Sequence, residues 1–101
     1  MDRATVRRMA KNATRACSVL GAMSNPLRLL ILCHLAEGEK SVGELEPLIG
    51  LSQSALSQHL AVLRGKHLVR TRREGQSIRY SLASKEATAL MHTLHEQFCK
   101  C

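Results

Sequence analysis
The chain has 101 residues, room for one domain around a small core and little else. Of these, 45% are apolar but only 2% aromatic, so the core must be aliphatic; this argues against a stacking platform for single-stranded nucleic acid. Fifteen Lys and Arg against eight Asp and Glu leave a net charge of +7, which points to a polyanionic partner, because neutralising phosphates releases counterions.

Val6, Met9, Ala10, Ala13, Cys17 and Leu20 recur at helical spacing and predict a first helix over about 4–22. Asn25-Pro26 reads as the N-cap and first position of a second helix. Leu27, Leu30, Ile31 and Leu35 form its apolar stripe, widened by Leu29 and Leu32, and Gly38 ends it. Ser41-Val42-Gly43-Glu44 is a capping box that opens a short third helix, closed by Gly50. Ser52 caps a fourth helix running to about Arg64, and the interval between the third and fourth helices is the tight turn of a helix-turn-helix. Two strands, 68–72 and 77–82, meet at Gly75. Ser84 caps a last helix with Ala87, Leu90, Met91, Leu94 and Phe98 on one face. The chain therefore reads as a single winged helix-turn-helix domain over 1–101, mainly α with a small β-hairpin, in the order α-α-α-α-β-β-α.

With Leu56, Leu60 and Leu63 turned inward, a rotation of about 100° per residue points Ser54 and Gln58 outward. Ser57 then lies on the flank and Gln53 is exposed in the first turn. Small polar side chains of this kind reach base edges in a major groove. His59, on the inner shoulder, reads as a hydrogen-bonded structural residue. Positive charge concentrates between 64 and 79, where Arg64, Lys66, Arg70, Arg72, Arg73 and Arg79 face only Glu74 in the same interval. Arg72, Arg73 and Arg79 sit on the hairpin, placed as a DNA-contacting wing. A second basic cluster, Arg3 to Arg15, lies near the N-terminus, and Glu37, Glu39, Glu44 and Glu46 make the stretch between them acidic. Double-stranded DNA is the expected partner.

Three segments carry a resemblance to a known family: Met23-Ser-Asn-Pro-Leu-Arg-Leu-Leu-Ile-Leu, Leu51-Ser-Gln-Ser-Ala-Leu-Ser-Gln-His-Leu and Gly75-Gln-Ser-Ile-Arg-Tyr-Ser-Leu. Together they resemble the ArsR/SmtB bacterial repressors over about residues 18–99. The resemblance implies a homodimer joined through its first and last helices, which binds an inverted-repeat operator and releases it when an inducer binds. The metal sites of that family do not carry over. The third helix has no Cys-x-Cys, and His92-x-x-His95 lacks the matching Asp-x-His upstream, so no metal site or cofactor is implied.

The four cysteines are the remaining candidates for a sensor. No apolar run spans a bilayer and the N-terminus has no signal-peptide core, so a cytoplasmic location with reduced thiols is expected. Cys33 in the second helix and Cys99 at the end of the last helix resemble the paired cysteines of the family's persulfide- and redox-sensing branch. There such a pair closes into a disulfide or polysulfide bridge and the repressor leaves its promoter. A disulfide requires Cα atoms within about 7 Å, and two further sulfurs lengthen the link by roughly 2–4 Å. Cys17 reads as a small hydrophobe on the apolar side of the first helix. Cys101 forms a Cys-x-Cys with Cys99, so a soft metal or metalloid held by Cys33, Cys99 and Cys101 is the alternative inducer. A winged-helix module that binds protein instead of DNA is a second alternative, which the arginine wing opposes. No general base or substrate pocket accompanies the thiols, and the chain does not read as an enzyme.

Overall fold
A computed structural model describes residues 1–99. Five helices and three strands follow in the order α1 (Arg3–Met23), α2 (Pro26–Ala36), β1 (Lys40–Ser41), α3 (Val42–Ile49), α4 (Gln53–Gly65), β2 (Val69–Glu74), β3 (Ser77–Leu82) and α5 (Lys85–Phe98). The helix boundaries are those the capping residues announce. Asn25 Oδ1 accepts from the amides of Leu27 and Arg28. The reciprocal Ser41–Glu44 capping box is formed, and Ser52 and Ser84 each accept from the amide three residues on. Each cap satisfies amides that a helix start would otherwise leave unpaired. Gly50 ends α3 at φ 82 and Gly75 turns the hairpin at φ 62, conformations that L-side chains resist.

Strand β1 is the element absent from the sequence reading. Two residues carry no periodicity, yet Lys40 and Ser41 pair antiparallel with Tyr80 and Arg79. The sheet is thus three-stranded, ordered β1-β3-β2, and the wing is anchored to the start of the helix-turn-helix.

The core is one cluster. Leu56, Leu60 and Leu63 of α4 are fully buried, together with Ile31 and Leu32 of α2, Leu45 of α3 and Leu68. Each such side chain contributes about 1.5–3 kcal/mol through burial. Leu30, read as part of the buried stripe of α2, is instead 47% exposed; the inward face is centred on Ile31, Leu32 and Leu35. Helix α1 meets α2 at 92° and buries only Val19, Ala22 and Met23 near its C-terminal end. Val6, Met9 and Leu20 are about half exposed and Phe98 of α5 is 80% exposed, whereas Met91 turns into the protomer core. No single helix is long and apolar enough to cross a membrane.

The link from α4 into β2 is a tight bend. His67 adopts φ 60, and the amides of His67 and Leu68 bond back to the carbonyls of Arg64 and Leu63 at 3.0 and 2.9 Å. The left-handed conformation is uncommon for a residue with a Cβ, though His adopts it more readily than most.

Helix α1 is tied to α5 by Arg15, whose Nη2 donates to Glu86 Oε1 at 2.8 Å while Ser84 Oγ donates to the other carboxylate oxygen. The Arg15 hydrogen bond, then that from Ser84, holds the Glu86 carboxyl down at about 2. A depressed folded-state pKa adds stability that is present above the unfolded value of about 4.3 and lost as pH falls towards 2. Urea midpoints measured from pH 6 to pH 2 should therefore fall less steeply for Glu86→Gln than for the parent chain. Parallel curves would show that this contact contributes nothing.

Candidate nucleic-acid interface
Helix α4 presents the side chains expected of it. Gln53, Ser54, Ser57 and Gln58 are all exposed, opposite the buried Leu56, Leu60 and Leu63. The rotation that buries the leucines is the one that clears the polar residues. His59 is half-buried, but its ring has no hydrogen-bond partner among the described residues, contrary to the sequence reading. Gln53 and Ser57 line an open groove with Ser41, Gln76, Ile78 and Tyr80, so the recognition helix and the wing face one concavity.

The wing arginines divide into two sets. Hairpin register pairs Arg72 with Arg79 and Arg73 with Ile78, and side chains alternate between the faces. Arg73 therefore shares its face with Ile78 and Tyr80, the groove side, and is exposed. No ion pair engages Arg73 among the described residues. On the other face, Arg72 donates from Nε and Nη2 to the two carboxylate oxygens of Glu39 at 3.1 and 2.7 Å, and from Nη2 to Glu74 at 2.8 Å. Arg79 lies 2.9 Å from Glu44 and donates to the backbone carbonyl of Glu39 at 3.2 Å. Within the interval 64–79 the sequence offers these arginines only Glu74; the fold brings two more carboxylates from the α2–β1 connection and α3. Arg72 holds the Glu39 carboxyl below its ordinary range, with Arg79 and Arg70 adding to the effect.

The thiols are open to solvent. Cys17, Cys33 and Cys99 are free and exposed, including Cys17, which the sequence reading took for a buried hydrophobe. It lies on the part of α1 that extends beyond the protomer core. Cys99 is the C-cap of α5. Its charge reaches Cys33 on α2: desolvation first, then the Cys99 thiolate and Glu37, push the Cys33 thiol above its ordinary value. The two cysteines singled out in the sequence are thus electrostatic neighbours. Cys101 lies outside the described residues.

Residues 25–71 match the family described as bacterial regulatory protein, arsR family. The chain is 51% identical to the transcriptional activator HlyU of Vibrio cholerae over 92 residues, 91% of this chain and 85% of that protein. The chain belongs to the ArsR family of bacterial regulatory proteins. Its fold matches the structure of reduced HlyU from V. cholerae with a TM-score of 0.88 and 50% identity, covering 93% of this chain and 99% of that one. It matches the transcriptional repressor BigR from Xylella fastidiosa, also with a TM-score of 0.88, at 42% identity over the whole of both chains. A homodimeric winged helix-turn-helix DNA-binding domain from Mycobacterium bovis matches at a TM-score of 0.79 and 30% identity, covering 89% of this chain and 83% of that one.

This ArsR-family chain is accordingly a DNA-binding transcriptional regulator and not an enzyme, with the winged helix-turn-helix the sequence predicts. What sequence reasoning missed in it is Glu39. The acidic stretch was visible, but nothing local links residue 39 to residues 72 and 79. His92 is largely exposed with Glu96 at 3.8 Å, and among the described residues no three His, Cys, Asp or Glu side chains gather as a metal-binding group.

The raised Cys33 thiol carries less thiolate at a given pH. Iodoacetamide should label Cys33 at pH 8 more slowly than it labels a cysteine in a short peptide, and the rate should go on rising above pH 9. Cys99→Ser, which removes one of the opposing charges, should accelerate labelling of Cys33 at alkaline pH. Peptide mass mapping reads both; labelling of Cys33 at the peptide rate would contradict the desolvated thiol.

Proposed function
We propose that this regulator is a homodimeric repressor that leaves its operator when Cys33 and Cys99 are bridged by reactive sulfur or by oxidation. The observation that carries the reading is the electrostatic contact of these two exposed thiols, which belong to different helices. Cys99 attacks the sulfane sulfur of a persulfide, releasing the parent thiol and becoming a persulfide itself. The Cys33 thiolate then attacks the inner Cys99 sulfur and expels hydrosulfide, so the disulfide forms with both electrons leaving on sulfur. Capture of further sulfane sulfur before closure yields a longer polysulfide bridge. A peroxide gives the disulfide alone. The name of BigR as a repressor supports release as the outcome, while HlyU is named an activator.

The dimer is supported by the exposed Val6, Met9, Leu20 and Phe98, side chains that the protomer leaves uncovered on its first and last helices. A two-fold axis through these helices sets two copies of α4 into successive major grooves about 34 Å apart, on an inverted repeat. Gln53, Ser54, Ser57 and Gln58 read base edges, and the wing with Arg72, Arg73 and Arg79 supplies positive charge at the backbone. The site of action is the cytoplasm, where thiols are held reduced until the inducer appears.

An operator recovered by selection from a random duplex pool provides the test. Gln58→Ala or Ser54→Ala should lower the preference for operator over random DNA by about 1–3 kcal/mol while leaving affinity for random DNA unchanged. Equal losses on both duplexes would remove these residues as base readers.

Bridging should weaken operator binding about 5- to 150-fold, a coupling of about 1–3 kcal/mol. Cys33→Ser and Cys99→Ser should each bind operator normally but ignore persulfide, whereas Cys17→Ser and Cys101→Ser should respond as the parent does. Fluorescence anisotropy before and after treatment measures this, with intact mass identifying added sulfur or lost hydrogen. If Cys33→Ser still releases DNA, the bridge is wrong and a site at Cys99 and Cys101 replaces it.

A further inference from the structure
Strands β2 and β3 pair in a register that sets Arg72 directly opposite Arg79. Two like charges at such a position repel, and a hairpin carrying them is destabilised unless a counter-charge lies between them. Glu39 is that counter-charge. It comes from the connection between α2 and β1, far away in sequence, and its carboxylate takes two hydrogen bonds from Arg72 while lying 3.8 Å from Arg79 Nε. Its own backbone carbonyl takes a further hydrogen bond from Arg79, whose other terminal nitrogen pairs with Glu44 on α3. Planar guanidinium groups held through two nitrogens are fixed in direction as well as in charge. Arg79 is only 23% exposed, so its groups are committed to these partners. Arg73, one residue on, lies on the opposite face and has no such commitment.

We infer that Glu39 is the wing-positioning residue of this regulator: it bridges Arg72 and Arg79, keeps both from phosphate, and leaves Arg73 as the arginine of the wing that contacts the duplex. The inference rests on the reading that α4 and the wing face DNA together. Glu39 thereby restrains non-specific affinity. An arginine free on the wing gains from any phosphate in any sequence, and each such contact steepens the dependence of affinity on salt without adding discrimination. Holding two of three wing arginines on internal carboxylates leaves a larger share of the binding energy to the base-reading face of α4.

The test compares salt dependence for Arg72→Gln, Arg73→Gln and Glu39→Gln on the selected operator and on a random duplex, with affinities from fluorescence anisotropy and folding checked by thermal melting. Arg73→Gln should flatten the log–log salt slope by about 0.9 on both duplexes, the value of one phosphate contact per protomer engaged. Arg72→Gln should leave the slope unchanged. Glu39→Gln frees Arg72 and should tighten binding to the random duplex several-fold, steepen its slope and reduce the preference for operator. A loss of slope for Arg72→Gln equal to that for Arg73→Gln overturns the inference while leaving the DNA-facing wing intact. So does a Glu39→Gln variant that weakens both duplexes at unchanged slope, the signature of a merely structural residue. Should Glu39→Gln fail to fold, the slope of Arg72→Gln still decides. If Arg73→Gln moves neither slope, the wing does not face the duplex, and both readings fall together.

Discussion
The rotation of α4 about its own axis is the constraint on which the rest of the molecule depends. Leu56, Leu60 and Leu63 are fully buried, and no other setting of the helix places all three in the core. Turning it by one residue would expose leucine and bury glutamine, a loss of burial free energy compounded by desolvated amides. The same three side chains therefore hold the fold together and aim Gln53, Ser54, Ser57 and Gln58 outward. Stability and the direction of the reading face are one property.

The second organising interaction is electrostatic. Aliphatic burial ends at Leu68 and Val69, and the hairpin beyond them is mostly exposed. What holds it against the body is the two-residue pairing with β1 and the carboxylates of Glu39 and Glu44. These are exposed pairs, and singly such contacts are weak and screened by salt. Their role lies in geometry: they link the wing to the segment that also begins α3, so the wing moves with the helix-turn-helix instead of independently of it.

Much of this was legible before any coordinates. Caps at Asn25, Ser41, Ser52 and Ser84 and the stops at Gly38 and Gly50 are local chemistry, and they marked helix boundaries within a residue or two. The leucine stripe of α4 gave its outward face by the same local logic. Features set by distant residues were not legible. Strand β1 exists only because β3 lies beside it, and Glu39 meets Arg72 only after the sheet has formed. Leu30 and Cys17 show a related limit: helical periodicity identifies an apolar face, but not whether the protomer itself covers it. Cys33 and Cys99 were recognisable through family resemblance, whereas their mutual field required the fold that brings the end of α5 to α2.

The left-handed backbone at His67 has a consequence for how such a regulator changes over generations. Exchanges on the exposed face of α4 disturb little else, since surface substitutions commonly shift stability by no more than about 0.5 kcal/mol. What the helix reads is thus free to drift. The bend at residue 67 is not: glycine and asparagine adopt its backbone readily, while a β-branched side chain there is strained. Sequence preference and the angle between helix and wing therefore sit under unequal constraint, and a lineage can acquire a new operator far more easily than a new way of straddling it.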